Sequence, residues 1–321
     1  MSQRILVTGA TGFVGSRLVD KLLEEGISVL GGSRSHQRAA KARPEIPWVH
    51  FNLDDPVSVD EALRGVTAAV YLVHLMADGP GYAERERAAA RRFARLAAEN
   101  GVERIVYLGG VAPAGPPSEH LQSRLDTGRI LREGRVPCLE LRAGMIIGQG
   151  SESWKIVRDL SSRLPVMLLP RWLSSRSCPV AIDDVITGLH AALTLPLSGS
   201  RVFELPGPET LSAKDILIRV ARLRGMEPKV YPVPVLTPQL SSYWLKLVSR
   251  ADFAVAQELV HGLEHDLIPT GTPLWDELPG FVPTPFDDAV AAASLDEAGP
   301  STLKGRVLER LARRLAAKPP H

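Results

Sequence analysis

Gly9, Gly12 and Gly15 are spaced G-x-x-G-x-x-G and follow directly on the apolar run Ile5-Leu6-Val7. A helical pattern opens behind them, with Val14, Leu18 and Leu22 on one face, and stops at Glu25-Gly26. A strand, a glycine turn and a helix N-terminus make an anion site. The first N–H groups of a helix have no intrahelical partner, and the helix dipole favours negative charge beside them. Gly9 permits the tight turn, Gly12 lets a diphosphate approach the backbone, and Gly15 lets the helix pack closely on the strand. The candidate contacts to a dinucleotide diphosphate are therefore Gly9, Thr11, Gly12, Phe13, Val14 and Gly15. A glycine turn that holds no ligand is the competing reading, and the strand and helix on either side argue against it.

A second candidate group closes the next strand, which reads Val29-Leu30-Gly31-Gly32-Ser33-Arg34. In dinucleotide-binding sheets an acid at this place holds the adenosine ribose hydroxyls, whereas an arginine accommodates a 2′-phosphate. No carboxylate is present. Ser33 and Arg34 are expected to meet a 2′-phosphate, so NADP(H) is the expected cofactor over NAD(H), which the same turn could also hold. A solvated arginine is the alternative.

These groups need a framework, and residues 1 to about 150 supply one by alternating strand-like and helix-like segments, the pattern of parallel βαβ units. Strands are predicted at Ile5–Val7, Ser28–Gly31, Trp48–Phe51, Ala69–Val73, Arg104–Leu108 and Cys138–Arg142. Helices are predicted at Ser58–Arg64, Tyr82–Asn100 and Leu125–Arg132, and Asn100-Gly101 supplies the left-handed stop that a helix end prefers. Beyond Gly150 the spacing predicts a helix over Trp154–Leu164, a strand end and capped helix at Ala181–Leu193, a strand at Arg201–Leu205, and a helix at Ser212–Leu223 capped by Ser212. The expected fold is α/β: a Rossmann-type doubly wound parallel sheet over residues 1–150, with 181–205 returning to it, and a smaller α+β lobe over 151–321 that covers the cofactor edge.

Composition narrows the class. With 321 residues, 45% apolar and 23% charged, the chain reads as an ordinary globular protein, and a net charge of +2 argues neither for nor against an acidic partner. Cys138 and Cys178 have neither metal spacing nor a disulfide framework and read as buried thiols in a reducing compartment. Met1–Arg4 runs straight into the first strand and no apolar run approaches a membrane span, so a cytoplasmic protein is expected. No nucleic-acid-binding module and no metal site are expected.

The form T-G-A-T-G-F-V-G (Thr8–Gly15) resembles the short-chain dehydrogenase/reductase superfamily, in its extended and atypical branches. Val70-Tyr71-Leu72-Val73-His74 resembles their fourth strand, whose end lies under the cofactor, which implies Leu72, Val73 and His74 as contacts. Asn52-Leu53-Asp54 resembles their D-L-D segment, which implies that Leu53 and Asp54 contact adenine, although Asp54 could equally cap the next helix. Leu139–Gly148 resembles their L-R-P-G-x-x-x-G turn, with Ala143 for the proline, and implies Met145 near the nicotinamide carboxamide. Ala181-Ile182-Asp183-Asp184-Val185 resembles their V-x-D-V stretch, whose aspartate caps a helix.

That superfamily's reductive chemistry relies on Y-x-x-x-K and on a serine at the end of the fifth strand. Here the strand ends Leu108-Gly109-Gly110, so Gly109 stands where the serine is expected, and His120 and Arg124 have the tyrosine–lysine spacing. Arginine can hold ribose hydroxyls with fixed donors but is a poor proton relay. Histidine can exchange protons near neutral pH, although a neighbouring Arg⁺ favours its neutral ring. His120 as proton donor and Arg124 as ribose anchor is the catalytic expectation. A loop histidine that merely packs is the alternative, and Tyr107, inside a strand, reads as core.

Further motifs resemble an atypical subgroup: Y-L-G-G, H-L-x-S-R, the prolines around Met167, and Leu236–Trp244. The subgroup comprises bacterial NAD(P)-binding proteins related to NmrA-like regulators and to the accessory 39-kDa-type subunit of respiratory complex I. Trp154, Met167, Trp172, Tyr243 and Trp244 read as lobe core or as lining of an apolar pocket. Arg171 and Arg176 could meet an anionic ligand. Leu303–Ala317 forms a basic amphipathic pattern suited to docking on its own domain or a partner, or to a membrane surface. Two functions follow as expectations: an NADP(H)-dependent oxidoreductase on a small apolar or carbonyl substrate, or a cofactor-sensing or assembly protein that acts through a protein partner.

Overall fold

A computed structural model describes residues 4–75, 81–163, 166–233 and 265–295. The strands run β1 (Arg4–Thr8), β2 (Ser28–Ser33), β3 (Trp48–His50), β4 (Ala68–Tyr71), β5 (Arg104–Gly110), β6 (Cys138–Ala143), β7 (Ile146–Ile147), β8 (Val166–Pro170), β9 (Arg176–Ser177), β10 (Val180–Ala181), β11 (Arg201–Glu204), β12 (Leu211–Ser212) and β13 (Lys229–Val233). Helices intervene at α1 (Phe13–Glu24), α2 (His36–Ala42), α3 (Pro56–Leu63), α4 (Tyr82–Glu99), α5 (Glu119–Glu133), α6 (Glu152–Arg163), α7 (Ile182–Thr194), α8 (Ala213–Leu223) and α9 (Phe286–Leu295).

Seven parallel strands form one sheet in the order β11-β6-β5-β4-β1-β2-β3. Both faces are covered, as a parallel sheet requires. In β1, Ile5 and Val7 pack with Leu18, Val19 and Leu22 of α1 and with Val185 and Leu189 of α7. Leu6, between them, points to the opposite face and its cluster of Leu63 from α3, Phe93 from α4 and Leu131 from α5. The chain builds β1, β2 and β3 outward in one direction and then returns to place β4 on the other flank of β1. That reversal opens a crevice at the carboxyl ends of β1 and β4, the place where open α/β sheets bind ligands.

The fold is the doubly wound Rossmann type that the alternating pattern predicts. Gly101 takes φ +73° behind α4, as the Asn-Gly stop requires. Ser212 caps α8 by accepting the Asp215 N–H at 3.0 Å. The short helix α2 escapes the sequence pattern because Ala39 is its one buried residue. Two capping expectations need correction. Asp55, not Asp54, caps α3 by accepting the Val57 N–H at 3.0 Å. Asp184 does not cap α7; its carboxylate accepts the Thr284 N–H and Oγ1–H, both at 2.8 Å, and so ties α7 to the chain entering α9.

The remaining described residues pack as three two-stranded ladders, β7–β10, β9–β12 and β8–β13, with α6, α8 and α9. Trp154 is fully buried there with Phe286 and Val220, and Met167 packs with Leu217 and Met226, so both are core. Arg176 is committed to Asp266, at 2.9 Å. Residues 236–244 and 303–317, with Tyr243 and Trp244, lie outside the described residues, as do the side chains of Arg171 and Trp172. Among the described residues no helix is long and apolar enough to cross a membrane, and no group of side chains is arranged to hold a metal.

Candidate functional site

The site begins at the Thr8–Gly15 turn. Thr8 Oγ1 donates to Val70 O at 3.1 Å and accepts the Leu72 N–H at 2.9 Å, which fastens the ends of β1 and β4 together. Gly9 turns the chain at φ +66°, and a Cβ there would lie 3.4 Å from Val73 Cγ2 and 3.6 Å from Leu72 O. Leu72 and Val73 therefore flank the turn. A Cβ on Gly15 would sit 2.3 Å from Gly9 O, which no side chain tolerates, so α1 can approach the turn only with glycine there. Gly12 is the N-cap, no side chain caps the helix, and its first turn holds no acid. The first-turn amides of Phe13, Val14 and Gly15 thus keep their intrahelical vacancy. Thr11 and Gly12 are exposed beside them. Phe13 leans on Gly148 and Gly150, and Arg17, over its ring at 4.8 Å, reaches Gln149 O at 2.8 Å. The cradle that a Cβ would fill, and the uncapped amides around it, fit a diphosphate.

At the edge of the crevice Ser33 closes β2 nearly buried, with its Oγ accepting the Ser35 N–H at 3.2 Å. Arg34 is exposed at the strand end. Leu53 corrects one expectation: its side chain is in the core with Phe51 and Val59, and its carbonyl takes the Arg92 guanidinium. Only its N–H could face an adenine, and Asp54 beside it is exposed. Met145 packs against the Trp154 cluster and its carbonyl accepts the Val180 N–H at 2.9 Å.

At the end of β5 lies the group that sequence spacing aligned with a tyrosine–lysine pair. Ser118 caps α5 by accepting the Leu121 N–H at 3.3 Å, so His120 and Arg124 share one helix face. Arg124 Nη2 donates to Leu108 O at 2.7 Å and Nη1 contacts His74 Nε2, while Tyr107, buried in β5, donates its hydroxyl to Arg124 O at 3.0 Å. A Cβ on Gly110 would lie 3.4 Å from Arg124 Nε and 3.2 Å from Leu121 Cδ1, and one on Gly109 would lie 3.1 Å from Tyr107 Cε1. Gly110, next to the position where a serine was expected, lets the arginine lie against the strand end.

Behind Arg124 is a buried polar network. Glu86, 1% exposed on α4, accepts the Ser123 hydroxyl and the Leu75 N–H, the latter at 3.3 Å, and lies 3.4 Å from His74 Nδ1. Burial works against its ionisation, but the donors from His74, Ser123 and Leu75 outweigh it and hold the carboxyl below its usual range. His74 is pushed down to about 4 by burial, with Arg124 adding to the shift and Glu86 opposing it. His120 is pushed down to about 3 by burial, then by the charge of Arg124. Both rings are neutral near neutral pH. The expectation for His74 changes accordingly, because its Nε2 contacts Arg124 and its Nδ1, 3.4 Å from Glu86 Oε1, is buried without a hydrogen-bond partner among the described residues. His120 Nδ1 is buried with no partner among the described residues. Sequence reading missed Glu86 and gave Ser123, in the H-L-x-S-R motif, no role of its own. The available signal was a lone acid at the apolar-face position 86 of α4, between Ala83 and Ala89-Ala90.

The NAD dependent epimerase/dehydratase family matches residues 5–133. The chain is 27% identical, over 88% of its length and 95% of the relative, to the (4-alkanoyl-5-oxo-2,5-dihydrofuran-3-yl)methyl phosphate reductase of Streptomyces griseus. It is 25% identical, over 66% of its length and 61% of the relative, to the mitochondrial NADH dehydrogenase (ubiquinone) 1 alpha subcomplex subunit 9 of Dictyostelium discoideum. Among solved structures, the Citrobacter sp. triphenylmethane reductase complexed with NADP(H) superposes with a TM-score of 0.70 at 19% identity, covering 91% of this chain and all (100%) of that one.

Proposed function

We propose that the protein, whose residues 5–133 match the NAD dependent epimerase/dehydratase family, is an NADP(H)-dependent oxidoreductase of the extended short-chain dehydrogenase/reductase type acting on a small apolar or carbonyl substrate. The observation that carries this reading is the glycine cradle: uncapped amides at the start of α1, set in the crevice between β1 and β4, with Leu72 and Val73 around it. Gly9 to Gly15 would hold the diphosphate, Ser33 and Arg34 a 2′-phosphate, and Arg124 the nicotinamide ribose. The cofactor supplies hydride chemistry. The protein supplies position, which can account for much of a barrier reduction. Two reductases among the similar proteins, one complexed with NADP(H), support the reaction class and the cofactor.

His120 takes a narrower role than that of an acid. A ring that protonates only near pH 3 offers an N–H hydrogen bond to a substrate oxygen, and the proton then comes from solvent. The free buried thiols Cys138 and Cys178 suit a reducing compartment, in keeping with a cytoplasmic reaction. Calorimetry with NADPH, NADP⁺, NADH and NAD⁺ tests the cofactor, and silence with all four defeats the proposal. Substrate-dependent NADPH oxidation that falls in His120→Ala tests the enzyme.

One observation favours a second reading, a sensor of the cofactor's redox state. Histidine and arginine stand where tyrosine and lysine do proton chemistry, and both histidines of the cluster are neutral. Tight cofactor binding without turnover, plus a protein partner captured with only one redox form, would decide for the sensor.

A further inference from the structure

Arg17 ties the sheet to the second lobe at the edge of the glycine turn. It stands on α1, whose Gly15, Leu18, Val19 and Leu22 are buried against the sheet. Its Nη1 donates to Phe13 O at 2.9 Å, on the first turn of the helix, and its Nη2 donates to Gln149 O at 2.8 Å, in the turn that leads from β7 into α6. That second turn is shaped to lie against Phe13. A Cβ on Gly148 would come within 2.9 Å of Ile182 Cβ and 3.0 Å of Phe13 Cζ, and one on Gly150, at φ +97°, within 3.2 Å of Phe13 Cδ2. The Ser151 N–H closes the turn on Gly148 O at 3.1 Å, and Ser151 Oγ accepts the Trp154 N–H at 3.3 Å where α6 begins. Trp154 is fully buried in the lobe, so the turn is anchored there while Arg17 is anchored in the sheet.

Both acceptors of Arg17 are neutral carbonyls, and no carboxylate pairs with it among the described residues. Its contact with Phe13 O holds the guanidinium beside the positive end of the α1 dipole, where the first turn has no acid. A cation is unfavourable there. A diphosphate on the cradle reverses the balance, because its negative charge attracts the dipole end and the guanidinium together. We propose that Arg17 is a positioning residue: it seats the lobe turn Gly148–Ser151 beside the cradle, and a bound diphosphate strengthens that seat. This rests on the reading of Gly9–Gly15 as the diphosphate site. The coupling runs both ways. If the anion tightens the Arg17–Gln149 contact, the contact tightens the anion by the same factor. Met145 lies on the same segment, so fixing the turn also fixes the residue assigned to the nicotinamide carboxamide.

The test uses the full-length protein, hydrogen exchange resolved by peptide, and calorimetry with NADPH. In wild type, saturating NADPH should slow exchange at residues 9–16 and also at 148–155. Arg17→Met keeps an apolar stem over Phe13 but loses the charge and both donors. It should bind NADPH about fivefold more weakly, the size of one favourable charge contact at a helix terminus. Saturated with NADPH, it should still show protection at 9–16, while the protection that NADPH adds at 148–155 disappears. An arginine with a merely structural role gives a different pattern. Its loss would loosen 148–155 equally with and without NADPH and leave the added protection intact, and that result overturns the proposal. Unchanged NADPH affinity in Arg17→Met overturns it too, because the coupling is reciprocal. The wild-type measurement decides even if the variant does not fold: protection at 9–16 without protection at 148–155 refutes the role of Arg17 and leaves the cofactor reading standing. Wild type that gains no protection at 9–16 refutes the diphosphate site itself, and the proposal falls with it.

Discussion

Replacing Glu204 by glutamine should make the protein more stable at pH 8 and leave it nearly unchanged at pH 5. Glu204 ends β11, the edge strand, and is 3% exposed beneath Gly271 and Thr272. Its Oε2 has no hydrogen-bond partner among the described residues. The charged groups around it sit on β6. Arg142 stands opposite in register but gives its Nε to Glu140 at 2.8 Å, and Arg132 takes the other Glu140 oxygen at 2.7 Å. Glu140 thus absorbs both arginines and adds its own negative charge. Burial first, opposed by Arg142 and reinforced by Glu140, pushes the Glu204 carboxyl from its ordinary 4.5 up to about 7. An acid whose native value is raised costs stability as pH climbs. Between about 4.5 and about 7 the unfolded chain has lost the proton that the folded chain retains, and above that window the full penalty applies. The shift corresponds to about 3 kcal/mol, and water reaching the edge strand reduces it to about 2 kcal/mol. Glutamine keeps the shape and cannot ionise. Thermal unfolding of both proteins from pH 5 to pH 8 should show midpoints that diverge by about 4 °C at the alkaline end. Any fixed effect of the amide is the same at every pH, so the divergence is the diagnostic quantity. A pH-independent difference would refute the argument.

The other predictions concern the site and its supports. Gly15→Ala forces a methyl into Gly9 O, and should cost about 1–3 kcal/mol of stability by overpacking while abolishing the calorimetric signal with every nicotinamide cofactor; unchanged binding would mean that the turn is not the diphosphate site. Arg34→Ala should weaken NADPH about tenfold, the worth of a charge-assisted contact, and leave the NADH dissociation constant alone; equal effects on both would remove the 2′-phosphate assignment. Asp184→Ala orphans the Thr284 N–H and hydroxyl, at a cost of about 3 kcal/mol, and hydrogen exchange at the amides of Thr284 and Phe286 should accelerate relative to β1.

How much of this was visible in sequence depends on whether a feature is local. Strands β1, β4 and β5 were legible because a parallel strand buried on both faces is a near-continuous apolar run. The diphosphate cradle was legible for the same reason: glycines 9, 12 and 15 and the helix behind them form one unbroken segment. Asp54 and Asp55 show the limit of local reading, since adjacent acids compete for one cap and only backbone geometry chooses between them. The network around Arg124 is not local at all. It joins residue 74, from the loop after β4, to residue 86 on α4 and residues 123 and 124 on α5, and no spacing rule relates three segments that meet only after the sheet has formed. What sequence does carry is the anomaly. Glu86 breaks the apolar face of α4, and Glu140 and Glu204 break strands that should be apolar throughout. A buried charge costs several kcal/mol unless something answers it. A carboxylate at a core position therefore states that a partner exists without naming it. Arg132 and Arg142 answer Glu140, and His74, Ser123 and Leu75 answer Glu86. Glu204 is only partly answered, which is why its proton is the one that stability should follow.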